Sequence, residues 1–166
     1  LHRVDRRQRQ MCIRDRINGV PQKHGATYKA TQVQADKRKN TFTANIATAY
    51  PAEAEVESWI RSYSLQKGQL RISDSFRLTT AKQPNQINFM TWGQVNTEIP
   101  GKIQLEVKGK KAFIEYDKQL FDVKTETIPL TDPRLSNVWG KSIYRITLTA
   151  TNIYKTGNYS FIIKKQ

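Results

Sequence analysis

Trp59-Ile-Arg-Ser-Tyr-Ser-Leu65 and Leu70-Arg-Ile-Ser-Asp-Ser-Phe-Arg-Leu78, on either side of Lys67-Gly68, decide the fold. In the first run Trp59, Arg61, Tyr63 and Leu65 share one side, while Ile60, Ser62 and Ser64 share the other. In the second, Leu70, Ile72, Asp74, Phe76 and Leu78 share a side. Alternation with period two is the pattern of a half-buried strand, and a Lys-Gly pair between two such strands makes a hairpin. A slip of one residue would turn the whole apolar set to water, so the register is strongly specified.

The same pattern extends in both directions. Residues 28–35 and 41–47 suit strands and flank the charged turn Asp36-Lys-Arg-Lys-Asn40. Downstream, 87–92 forms a unit followed by a loop through Pro100-Gly101. Ile103, Leu105 and Val107 then alternate up to the basic turn Lys108-Gly-Lys-Lys111, from which 112–117 returns. Phe121, Val123, Thr125 and Thr127 give a strand that Pro129 ends, Thr131-Asp-Pro-Arg134 is a turn, and Ser136-Asn-Val-Trp-Gly140 a loop. Two long strands close the run: 142–151, with Tyr144, Ile146, Leu148 and Ala150 on one face, and 159–164. Residues 51–58 are the one place for a short helix. About ten short strands separated by turn signals predict an all-β fold, a two-layer antiparallel β-sandwich.

The chain has 166 residues and a formal net charge of +14, with one cysteine and two histidines. Residues 1–16 differ from the rest. They hold six arginines, Asp5, Asp15, the only cysteine, Cys12, and no hydrophobic period. Met11-Cys-Ile-Arg-Asp-Arg16 is what one frame of the transposase end sequence ATGTGTATAAGAGACAG encodes, so 1–16 reads as a foreign or disordered basic segment before a domain at 17–166. No apolar stretch follows the arginines as in a signal peptide. The remaining domain of about 150 residues can bury a sizeable core without staples. It holds no cysteine, which excludes disulfides and thiolate metal sites, and no apolar run of the length, about 20 residues, that spans a membrane. Its ten net positive charges imply a polyanionic partner without choosing among glycan, lipid and nucleic acid. Nucleic acid is disfavoured because neither the interleaved aromatic-basic sheet of single-strand readers nor a recognition helix is present.

Several chemistries are excluded by what is missing. His24 is the domain's only histidine, so three protein ligands of a catalytic metal site cannot be assembled around imidazoles. No Ser/His/Asp or Cys/His nucleophile and no phosphate-binding glycine loop is present. His24 sits in the turn Lys23-His24-Gly25, as a solvated residue or as a substrate contact beside Lys23. Asp74 interrupts the apolar face of its strand opposite Arg61. A structural ion pair is expected, and the other use of Arg61 is a bidentate fork to a uronate carboxylate. Trp59, Trp92 and Trp139 are candidate sugar-stacking platforms. Trp59 belongs to the core by its face, and Trp139 is the best candidate for an exposed ring, although a loop tryptophan more often plugs the open end of a sandwich.

The stretch opening Ile17-Asn-Gly-Val-Pro-Gln-Lys-His-Gly25, with Tyr50-Pro51, Trp59-Ile-Arg61 and Leu70-Arg-Ile-Ser-Asp74, resembles the C-terminal β-region of heparinase II/III-type polysaccharide lyases. The likeness covers most of 17–166 and is strongest over 17–78. It implies an α-helical toroid preceding these strands in the parent protein, and cleavage of uronic-acid polysaccharide, of glycosaminoglycan or alginate type, by β-elimination. It implies a periplasmic or secreted protein, with acidic polysaccharide as partner. A histidine that is catalytic or metal-binding in several members falls just before the stretch at Ile17, where this chain has arginines. No catalytic residue carries over, and the fragment is expected to be inactive. No cofactor is expected in the fragment; a structural zinc or calcium ion of the parent would be held upstream. Lys23, His24, Arg61 and Trp139 remain as candidate substrate contacts. The alternative is a non-catalytic carbohydrate-binding β-sandwich module.

Overall fold

The computed structural model describes residues 14–166 and contains thirteen strands in chain order. They are β1 (Arg16–Ile17), β2 (Val20–Pro21), β3 (Thr31–Asp36), β4 (Thr41–Asn45), β5 (Val56–Gln66), β6 (Gln69–Leu78) and β7 (Gln86–Thr91). Then come β8 (Gln94–Ile99), β9 (Lys102–Val107), β10 (Lys110–Tyr116), β11 (Phe121–Pro129), β12 (Ser142–Ala150) and β13 (Thr156–Lys165). One sheet has the order β11-β12-β7-β1-β2, and the other β3-β4-β5-β6-β13-β10-β9-β8. Every pairing is antiparallel. This is the expected all-β sandwich.

The β5–β6 hairpin has the predicted register, with Trp59 opposite Phe76, Arg61 opposite Asp74, Tyr63 opposite Ile72 and Leu65 opposite Leu70. Lys67 and Gly68 both take positive φ, 50° and 73°, the pattern of a two-residue turn whose twist matches that of the strands. Asn18-Gly19 and Lys108-Gly109 repeat it between β1 and β2 and between β9 and β10.

The inner faces meet in a core of aromatic rings. Trp59 stacks on Phe76 at 4.7 Å, and Phe76 meets Tyr159 at 4.9 Å. From the five-stranded sheet, Phe121 meets Tyr159 edge-on at 4.7 Å and Phe89 meets Phe161 at 5.4 Å. Gly157 lies directly opposite Phe76. A Cβ there would come within 2.9 Å of the ring, so the glycine gives Phe76 room to lie over the strand.

The structure departs from the sequence reading in its number of strands and over 131–140. Thirteen strands replace ten, because β1 and β2 have two residues each and β8 occupies the expected loop before Pro100-Gly101. Most of β8 is exposed on both faces, so it shows no apolar alternation. The expected turn and loop over 131–140 contain a helix, α1 (Pro133–Trp139). Its cap explains it: the Asp132 side chain accepts from the backbone N–H of Arg134 at 3.0 Å, and proline occupies the first turn. Residues 51–58, the one place open to a short helix, hold a single 3-10 turn at Ala52–Ala54, preceded by another at Ala47–Ala49.

Of the basic segment set apart at 1–16, residues 1–13 lie outside the described residues. Arg14 to Arg16 are packed against the sandwich, and the boundary drawn after Arg16 falls inside β1.

Candidate functional site

The most heavily charged buried place in the molecule lies between the sheets. Arg61 projects from β5 into the core, where its Nε and Nη2 donate to Asp74 Oδ1 and Oδ2 at 2.7 and 2.8 Å. The expected ion pair is present, in bidentate form. The third arm, Nη1, reaches across to donate at 2.7 Å to Oδ2 of Asp15, a residue directly before β1 of the five-stranded sheet. The other Asp15 oxygen, Oδ1, accepts from the backbone N–H of Asn88 on β7 at 2.7 Å. One guanidinium thus serves two buried carboxylates, and the cluster is one positive charge short. Burial pushes the Asp15 carboxyl above its ordinary range, against the pull of Arg61 and of the Asn88 N–H. Desolvation likewise raises the phenol of nearby Tyr50, with the Asp15 charge adding to it.

Arg61 is therefore fully engaged, and its side chain is only 14% exposed. A fork whose three arms all hold protein carboxylates is a joint between the layers, with no free face for a uronate. Sequence reading found Arg61 and Asp74 but missed Asp15, because the segment carrying it had been set apart.

The other expected contacts lie elsewhere. Lys23 and His24 are exposed in the turn after β2, where Lys23 Nζ stands 3.5 Å from Glu53 and 5.9 Å from the Tyr28 ring. Trp139 ends α1 and is 47% exposed. Its ring meets Trp92, itself 39% exposed just past β7, edge-to-face at 6.4 Å. Trp59 is fully buried. The four candidates thus occupy three separate places.

Among the described residues no group of three His, Cys, Asp or Glu side chains is arranged to hold a metal ion. Among the same residues, no helix is long and apolar enough to cross a membrane. A second polar joint sits beside the first turn. Asn18 Oδ1 accepts from the N–H groups of Lys82 and Gln83, and the Asn18 N–H donates to Asn85 Oδ1 at 2.9 Å. Asn85 Nδ2 in turn donates to the Tyr159 hydroxyl at 3.2 Å, so this joint also links the two layers.

The architecture is a two-layer antiparallel β-sandwich with sheets of five and eight strands. Among solved structures, the chain is similar to the heparan sulfate lyase HepC from Pedobacter heparinus and to a mutant of it, each with a TM-score of 0.68 at 12% identity. The match covers 99% of this chain and 26% of that one, so the chain spans about a quarter of the lyase's length. No protein-family model matches the chain, and no curated protein matches it.

Proposed function

We propose that this chain is the β-sandwich part of a larger polysaccharide lyase that cleaves uronic-acid-containing polysaccharide by β-elimination, and that it supports the catalytic region without supplying the reacting groups. In that reaction a base removes the C5 proton, the C–H electron pair becomes the C4–C5 double bond, and the 4-linked oxygen leaves with a proton. The observation that carries the proposal is the likeness of fold to a heparan sulfate lyase along nearly the whole chain. The ten net positive charges of residues 17–166 suit an acidic polymer.

The buried chemistry supports a structural role. A base must shed its proton readily, yet burial raises the phenols of Tyr50 and Tyr159. His24 stands exposed on a turn. The same reading places the parent protein outside the cytoplasm, with an α-helical region preceding these strands.

The test compares two proteins on heparan sulfate, chondroitin sulfate and alginate, following the ultraviolet absorbance of unsaturated uronate ends. The 166-residue chain alone should produce none, and the product of the uninterrupted gene should produce them on at least one polymer. Unsaturated ends from the isolated chain overturn the supporting role. A gene lacking an upstream helical region, or a long product that cleaves none of the three, overturns the lyase reading in favour of a carbohydrate-binding module.

A further inference from the structure

Away from the Arg61 cluster, the open end of the sandwich gathers features that the supporting role leaves unused. The β9–β10 turn carries Lys108, Lys110 and Lys111, and Lys165 ends β13 beside it. In the pairing register Lys110 lies opposite Val107 and Lys165 opposite Ala112. Their neighbours two positions inward, Ala112 and Ile163, continue the core-facing side of the sheet. At this end the inner face therefore changes from apolar residues to lysines. The change borders a depression of about 640 Å3 lined by Thr91, Val107, Lys110, Lys111 and Lys165.

The two exposed tryptophans stand at the same end. Trp92 directly follows Thr91, and Lys108 Nζ lies 5.6 Å from its ring centre, in cation–π range. Gly93 holds this arrangement close: a Cβ there would sit 2.4 Å from Val107 Cγ2 and 2.5 Å from the Glu106 carbonyl oxygen. The chain after Trp92 thus passes flush against the end of β9, which brings the indole to the lysine turn. Trp139 abuts Trp92 from α1, a helix with no buried residue.

Four lysines at one end repel one another unless something anionic lies among them. None of Lys108, Lys110, Lys111 and Lys165 forms an ion pair with a described residue, whereas Lys164, one position away on the outer face, pairs with Glu115 at 2.7 Å. The nearest acid in the register is Glu106, opposite Lys111. Indole faces next to ammonium groups suit a ligand that alternates apolar sugar faces with anionic substituents.

We propose that Trp92, Trp139, Lys108, Lys110 and Lys165 form a binding site for an anionic polysaccharide chain. That an extended anion is held here stands on the lysines and indoles alone; that the anion is a glycan rests on the lyase reading.

The experiment titrates the 166-residue chain with heparin oligosaccharide, alginate oligosaccharide and single-stranded DNA of matched charge, at several salt concentrations, reading tryptophan fluorescence and heat. Trp59 is buried, so quenching by ligand reports on Trp92 and Trp139. The triple variant K108S/K110S/K165S should weaken binding of the glycans by about tenfold and flatten the salt dependence, as expected when three cation contacts are removed. Trp139→Ala should weaken it about fivefold, the low end for a lost stacking contact, on a helix that packs nothing in the core. The control K37S/R38S/K39S, in the other basic turn, should change it by less than about twofold, as expected of solvated charges at a distance. Equal losses in control and site variants overturn the site, as does unchanged binding in the triple variant. DNA binding as tight as either glycan, with the same variant sensitivity, overturns the glycan assignment. A long gene product that forms unsaturated ends while these variants bind normally sinks the site alone. Site-dependent binding with no elimination by any product sinks the lyase reading alone.

Discussion

Arg61 illustrates how one side chain can hold two layers together. Its three arms satisfy the carboxylates of Asp74 on β6 and of Asp15 directly before β1, so removing it strands both as buried charges. Arg61→Met should cost about 3–5 kcal/mol, as for other buried pairs broken from one side, and should lower the urea midpoint with little change in slope. Replacing all three residues by apolar ones of similar volume should recover most of that loss. The pH dependence has a definite sign. The folded-state value of Asp15 lies above its unfolded value near 3.8, so between the two the native state binds the extra proton. The stabilisation from protonating Asp15 is therefore complete below about pH 3.8 and lost as pH rises through the folded value. Asp15→Asn should remove this component, so urea unfolding from pH 3 upward (about the carboxylate range) should show the wild type falling behind the variant as pH climbs. A constant gap between the two curves would contradict it.

At the scale of elements, legibility followed burial. The β5–β6 hairpin was readable to the residue because its inner face is apolar except at Arg61 and Asp74 and its turn is Lys-Gly, and the Arg61–Asp74 contact followed from that register. β8 was not readable, since a strand exposed on both faces has no period to show. Helix α1 was missed because seven residues span only two turns, too few for a 3.6-residue repeat, although Asp132-Pro133 carried its cap. Of the candidate site, Trp139 was legible as the best candidate for an exposed ring. Its meeting with Trp92 and the lysine turn was not, because it depends on the packing of Gly93 against β9, a contact distant in sequence. Gly157 offers a test of packing between strands. A side chain there must displace the Phe76 ring and, through it, the stack on Trp59. Gly157→Val should destabilise by about 1–3 kcal/mol, the usual cost of overfilling a core, and should perturb the near-ultraviolet circular dichroism of the aromatic cluster. An unchanged spectrum would show that the ring has room to move.

For the whole molecule, the two sheets depend on each other through the aromatic core and two polar joints, at Arg61 and at Asn85. Cooperative loss of both sheets is the expected behaviour, with coincident unfolding by tryptophan fluorescence and far-ultraviolet circular dichroism. The order of the larger sheet has a further effect. β13 lies between β6 and β10 and joins two halves, β3 to β6 and β8 to β10, that do not otherwise pair. A chain ended at residue 155 should lack a cooperative urea transition. During translation, both half-sheets emerge from the ribosome with one edge bare and must wait for residues 156–165 to seal them. In that interval the bare flanks of β6 and β10 are open to neighbouring nascent chains, so synthesis speed and chaperone supply should govern the yield of soluble protein more than its final stability does.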